Sequence, residues 1–195
     1  MRNIDFFRSW GKAPQMNGLG FIWLNRTPSE RWNFYHPTLT PVVVDEYHNH
    51  RNTFRSRIMK GKLYNKRGVV VEGEGVMRNI DCITFLKKGE APDFPIIEHG
   101  VRIWELETEE YNLGDIYEMQ PNEMHKVWVE EPTVTKLTRM SMHDRKGLAV
   151  YDKDKQPLCP IADFVTPEKE CWEILETICQ SCLLYTSDAA DDLVG

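Results

Sequence analysis

The sequence predicts an all-β domain, a sandwich or barrel with a short helix at its start and a longer one at its end. Short segments rich in aromatic and β-branched residues recur at intervals of about eight to twelve residues, each closed by Gly, Pro, Asn or a charge cluster. No helical segments alternate with them, which argues against a parallel α/β sheet. A single late stretch carries helical spacing instead.

The elements follow in chain order. DFFRSW suits a short helix, and GLGFIWLNR and RWNFYH then read as strands with turn formers between them. After LTP come VVVDEYHNH (Val42 to His50), FRSRIMKGKLY, and RGVVVEGEGVMRNIDCITFL with a turn at Gly73 and Gly75. KKGEAPDFPIIEHG, Lys87 to Gly100, is the longest loop candidate and could cover the mouth of a barrel. VRIWELETEEYNL, DIYEMQ, HKVWVEE and TVTKLTRMSMH complete the strands. TPEKECWEILETICQS opens with Thr166 as N-cap and Pro167 at the first helical position, and places Cys171, Trp172, Leu175, Ile178 and Cys179 at helical spacing. Its Trp172 face is expected to pack outside the β-core.

A chain of 195 residues with 41% hydrophobic content can bury one core without staples, so residues 1–181 are expected to form one domain. A formal charge of −6 offers no surface for neutralising phosphates, which excludes nucleic acid as the favoured partner and leaves a small molecule. No apolar window reaches the roughly 20 residues that span a bilayer, and MRNIDFFRSWGKAP lacks a signal-peptide core, so a cytoplasmic location is expected. The five cysteines, Cys82, Cys159, Cys171, Cys179 and Cys182, are scattered and odd in number, as reduced thiols are.

CLLYTSDAADD, Cys182 to Asp192, resembles the translation of a transposon-type sequencing adapter over eleven consecutive residues. Residues 182–195 are therefore expected to be a non-native, adapter-derived tail, with the natural C-terminus missing after about Ser181. Without Asp188, Asp191 and Asp192 the formal charge of −6 becomes −3. CQSC, which uses Cys182, is then a decoy and not a thioredoxin-like pair, and no βαβ unit precedes it.

His48 and His50 stand two apart, so in a strand both imidazoles project from one face, a chelating geometry. A third ligand must come from another strand. GDIYEMQPNEMHKVW supplies His125 at the start of the strand that follows the Pro121-Asn122 turn.

This pattern resembles the cupin family, whose first motif is G(x)5HxH(x)3-4E(x)6G and whose second is G(x)5PxG(x)2H(x)3N. His48-Asn49-His50 matches the HxH, Gly61 stands at the closing glycine, and Gly114 and His125 keep the second motif's spacing of eleven. The resemblance covers about residues 40 to 141 and implies a double-stranded β-helix, the jelly-roll barrel. The departures are Val42 for the first glycine, Phe54 and Arg55 where a glutamate ligand would fall, Pro121 one residue late, Glu123 for the second glycine and Val129 for the final Asn. His48, His50 and His125 without a carboxylate are similar to the ligand set of the cysteine dioxygenase-like branch.

The resemblance implies a divalent metal, Fe(II) first, with Zn, Ni, Cu or Mn also compatible with imidazole. Three neutral imidazoles on one face of a cation leave up to three octahedral positions open and a net positive charge, which favours an anionic thiol or carboxylate substrate beside dioxygen. The expected activity is Fe(II)- and dioxygen-dependent oxidation of a small anionic metabolite. The alternatives are a metal-organised binding or regulatory module without turnover, and a metal-dependent isomerase.

Arg55 or Arg57 could point into the barrel and clamp a substrate carboxylate, or face outward into solvent. Tyr47, Tyr64 and Tyr117 could donate to a bound oxygen species or simply fill the barrel. Cys82 reads as core, and His36, His99 and His143 as surface residues. Glu109-Glu110 and Glu130-Glu131 point to opposite faces within each pair, so neither offers two convergent carboxylates, and both read as solvated turns. The aromatic-rich residues 19 to 36 would suit a homodimer contact, or cover this domain's own sheet.

Overall fold

The structure, a computed structural model, describes residues 3–39, 47–50, 52–71, 80–85, 97–121, 123–142, 147–152 and 166–180. The tail 182–195, Cys159, Cys182, His143 and residues 87–96 of the expected loop lie outside them.

In chain order the elements are α1 (Asn3–Arg8), β1 (Gln15–Asn17), β2 (Phe21–Asn25), β3 (Glu30–Tyr35), β4 (Tyr47–His48), β5 (Asn52–Lys60) and β6 (Leu63–Val71). They continue with β7 (Ile80–Phe85), β8 (Ile97–Tyr111), β9 (Ile116–Met119), β10 (Met124–Trp128), β11 (Thr133–Met142), β12 (Gly147–Asp152) and α2 (Glu168–Gln180). Ile97 to Gly100, expected in a loop, instead open the long strand β8.

One sheet runs β1-β2-β3-β11-β5-β9, and the other closes on itself as β10-β4-β12-β7-β8-β6. Within them, β3-β11-β5-β9 faces β4-β10-β6-β8, and between β3 and β12 the chain crosses from one sheet to the other at every step except β6 to β7 and β7 to β8. That is the jelly-roll order of two Greek keys, the double-stranded β-helix expected from the sequence. All pairings are antiparallel.

Two glycines fix the tight corners. Gly61 (φ 69°) turns β5 into β6, and a Cβ there would lie 2.6 Å from both the Pro132 carbonyl and Thr133 Oγ1. Gly114 (φ 92°) turns β8 into β9, donating its N–H to the Ile58 carbonyl at 2.9 Å. These left-handed conformations are ones that glycine adopts without steric penalty.

Alternation along each strand splits the six-stranded sheet into two faces. Ile22, Leu24, Trp32, Phe34 and Val134 face α1 and α2, and form a core with Ile4, Phe7, Cys171, Leu175, Ile178 and Cys179. Phe21, Tyr35, Phe54, Ile58, Tyr117 and Leu137 face the other way, into the barrel. The aromatic residues 19 to 36 thus serve this chain's own core on one side and its interior on the other.

α2 begins one residue later than the sequence suggests: Cys171 N–H bonds to the Pro167 carbonyl at 3.1 Å, so Pro167 stands at the N-cap and Glu168 opens the helix. Its buried stripe is Cys171, Leu175, Ile178 and Cys179, contributing roughly 1.5–3 kcal/mol for each fully buried large side chain. Trp172, whose face the sequence directs to the outside of the β-core, lies at the margin of that stripe, partly buried against the core. Its indole donates to Glu168 at 3.0 Å and sits under the Arg8 guanidinium. The buried Lys60 ammonium reaches the Ile178 carbonyl near the helix end, where a cation complements the terminal dipole.

Candidate metal centre

The strand pairing assembles the three histidines. β10 lies between β4 and β6, and His125 is paired directly with His48 across β4 and β10, so the two side chains share a face. His50 follows two residues after His48. The ring centroids stand 4.7 Å (His48 to His125), 4.8 Å (His48 to His50) and 5.0 Å (His50 to His125) apart. Their ligand nitrogens all lie within 4.8 Å of one another, and His50 Nε2 is 2.8 Å from His125 Nε2.

This donor set fits a divalent metal. Two cis nitrogens at about 2.0–2.1 Å from one octahedral ion stand roughly 3 Å apart, close to the His50–His125 spacing. A pair as far apart as 4.8 Å must close by about 1.9 Å to reach the roughly 2.9 Å between neighbouring positions on one face of an ion, a movement within reach of side-chain rotation. Burial holds His50 and His125 well below the usual histidine range, with the neighbouring His48 adding to the effect. Both are therefore neutral near pH 7, the state in which imidazole offers a lone pair to a metal.

Phe54, where the cupin pattern has its glutamate ligand, packs edge-on against His50 with centroids 4.7 Å apart. An aromatic ring thus occupies the flank from which a carboxylate would approach. The candidate donor set is three imidazoles, and among the described residues this is the one cluster of His, Cys, Asp and Glu side chains arranged to hold an ion.

The histidines line a cavity of about 260 Å³. Its walls include Phe21, Arg31, Tyr35, Phe54, Tyr117 and Leu137, and no Asp or Glu is among the described residues that line it. That volume lies just under the usual range for small-molecule sites, as suits a compact ligand.

Of the four residues expected to bind substrate, one lines this cavity. Tyr117 does so, and its burial holds the phenol far above the usual range, so it is a hydroxyl donor. Arg55 and Arg57 are corrected. Both alternate with Phe54, Ser56 and Ile58 and stand exposed on the outer face, where Arg55 pairs with Glu118 at 3.3 Å. Tyr64 is corrected as well: its ring stacks on Trp128 at 5.4 Å outside the cavity, and its hydroxyl donates to Glu130.

The arginine that faces the cavity is Arg31. Its guanidinium lies 5.3 Å from the Trp23 ring and 6.0 Å from Phe21, and its Nε is buried without a hydrogen-bond acceptor. No carboxylate pairs with it among the described residues. Burial pulls its pKa down to about 10, which leaves it cationic at neutral pH. The same burial pushes Tyr35, on the same face of β3, up to about 12. Sequence reasoning passed over Arg31, although it shares the parity of Asn33 and Tyr35 in RWNFY, opposite to the core residues Trp32 and Phe34.

Asn65 and Glu109 were also missed. Glu109, expected in a solvated turn, lies in β8, directly across from the fully buried Asn65 on β6. Asn65 Oδ1 is 2.8 Å from His125 Nδ1, and Asn65 Nδ2 donates to Glu109 Oε2 at 2.9 Å. Glu110 points outward to Lys62, so the divergence expected within that pair is what is found.

No protein-family model matches this chain, and no curated protein matches it. Among solved structures it is similar to Drosophila melanogaster CENP-C bound to CAL1, at 9% identity and a TM-score of 0.36, covering 70% of this chain and 92% of that one. It is similar to the Drosophila melanogaster CENP-C cupin domain at 11% identity and a TM-score of 0.34, covering 71% and 93%. It is also similar to E. coli ycfD at 14% identity and a TM-score of 0.34, covering 78% of this chain but 39% of that one, well under half its length. At these scores the likenesses add nothing to what the strand order already shows: the chain is a jelly-roll barrel carrying three histidines that could hold a metal ion.

Proposed function

We propose that this chain catalyses the Fe(II)- and dioxygen-dependent oxidation of small anionic thiol or carboxylate metabolites, in the manner of a non-haem dioxygenase, with the metal held by His48, His50 and His125. The observation that carries the reading is the pairing of two features in one cavity: three converging imidazoles, and a guanidinium, Arg31, that lacks an acidic partner among the described residues. Arg31 is partly buried with its Nε fully shielded, and a cation so placed without a counter-ion gains when a ligand supplies the opposite charge. A carboxylate fits the planar fork of Arg31, whose Nε is already desolvated and oriented.

When bound, the ion supplies a Lewis-acidic centre with open positions at which a donor atom of the substrate and dioxygen meet. The chain's own residues hold the substrate against it. Arg31 binds the anionic end, Phe21, Phe54 and Leu137 exclude water from its body, and the Tyr117 hydroxyl is a hydrogen-bond donor on the same wall. Fixing both ends of a short metabolite in this way orients it for reaction. An isomerase would need a base able to move a carbon-bound proton, a role that His36 or Lys126 on the described lining would have to fill.

The test is dioxygen uptake by Fe(II)-loaded protein prepared anaerobically, against a panel of thiol acids and carboxylates. Substrate-dependent uptake supports the dioxygenase reading. Tight metal binding with no uptake across the panel would replace it with a binding module, and turnover without dioxygen with an isomerase.

A further inference from the structure

We propose that Asn65, held in place by Glu109, is a positioning residue that fixes His125 as the Nδ1–H tautomer and so commits its Nε2 lone pair to the metal centre. The inference rests on the three-histidine reading above and adds how one of those ligands is kept ready.

The argument is one of donors and acceptors. Glu109 Oε2 receives three hydrogen bonds, from Asn65 Nδ2, Arg67 Nε and Tyr111 Oη, each 2.9 Å long. The Arg67 guanidinium is in turn held by Glu123 at 3.0 Å and by the Glu118 carbonyl at 3.1 Å. Glu109 is thus an ion-paired carboxylate, which can only accept. The group facing it must be the NH2 of the Asn65 amide, so the other end, Oδ1, faces His125. An amide oxygen can only accept, so the proton in the 2.8 Å contact belongs to His125 Nδ1. His125 Nε2 is then the unprotonated nitrogen, and in the short contact between Nε2 atoms the donor is His50.

The relay follows from the sheet. Glu109 is directly opposite Asn65 across β8 and β6, and Asn65 is the diagonal neighbour of His125 across β6 and β10, where Asn65 pairs with Val127 and His125 with Arg67. Asn65 and His125 are 0% and 2% exposed, so no solvent competes for these bonds. Partners of this kind typically change metal affinity by about 10–100-fold when removed.

The test uses the full chain, metal-free, at pH 7.5. Long-range 15N NMR reports the tautomer of His125, and Co(II) titration reports affinity and ligand field. His125 is expected as Nδ1–H in the wild type. Asn65→Leu is expected to shift it toward Nε2–H and to weaken Co(II) binding about 10–100-fold. Should Asn65→Leu fail to fold, Glu109→Leu, at a position whose side chain is 38% exposed, frees the amide to turn over and is expected to mix the tautomers and weaken Co(II) binding in the same direction. An Nε2–H His125 in the wild type overturns the proposal, as do tautomer and affinity unchanged in the variants. If the wild type binds no Co(II) but its His125 still changes tautomer on Asn65→Leu, the metal reading fails and the positioning role stands.

Discussion

The two faces of the six-stranded sheet come from the same strands yet have opposite character. On β3, Trp32 and Phe34 turn toward α1 and α2 and enter a close-packed apolar core, where Phe7 meets both rings edge to face. Arg31, Asn33 and Tyr35, one residue out of phase, turn inward, where burial meets charge and hydrogen bonding. The first face is an investment in stability. The second leaves a desolvated guanidinium and neutral imidazoles in place, an arrangement that gains most when a ligand arrives.

The sharpest way to break this comparison is to swap the roles. Phe34→Ala, on the helix side, removes a fully buried ring and is expected to lower unfolding free energy by about 3–5 kcal/mol in a denaturant titration, while metal affinity of the folded fraction stays within about twofold. Unchanged stability would mean that this face is not the chain's structural core.

Arg31→Met is the counterpart on the cavity side. It is expected to weaken binding of a small carboxylate to the metal-loaded protein by about 2–3 kcal/mol, or 30–150-fold, by calorimetry, with no fall in melting temperature because a desolvated charge has been removed. Arg55→Gln is the control on the outer face, where the exposed pair with Glu118 predicts a change within about 0.5 kcal/mol and no effect on the ligand. Equal effects of the two substitutions would erase the distinction between the faces.

Acid titration gives the mildest test. The unfolded chain protonates its histidines near pH 6.5, whereas burial delays protonation of His50 and His125 in the fold to lower pH. Below about 6.5 the unfolded state therefore binds more protons, and stability falls as pH falls until the folded-state values are reached. Metal-free protein is expected to lose up to about 3 kcal/mol between pH 7.5 and 5.5, about 1.4 for each histidine that stays neutral in the fold, measured by chemical denaturation. A flat profile would place these rings in solvent.

Much of this architecture could be read from residues near one another in the chain. The alternation in RWNFY and FRSRIMK, the turn glycines Gly61 and Gly114, and the existence of a late helix opening beside Pro167 are local instructions, because side-chain parity, left-handed turns and helical spacing depend on neighbours within a few positions. HxH is also local, since two imidazoles on one strand face need only a spacing of two. The closing contacts are of another kind. Arg31, Asn65 and Glu109 gain their roles from partners on other strands, and parity alone could not say which face of β5 would be covered, so Arg55 and Arg57 were as eligible as Arg31 until the sheet order placed them outside. A strand sequence specifies which residues share a face. Only the packed sheets decide which face becomes the interior and which buried polar groups meet there, because register across strands is set by pairings between residues as far apart as Asn65 and His125.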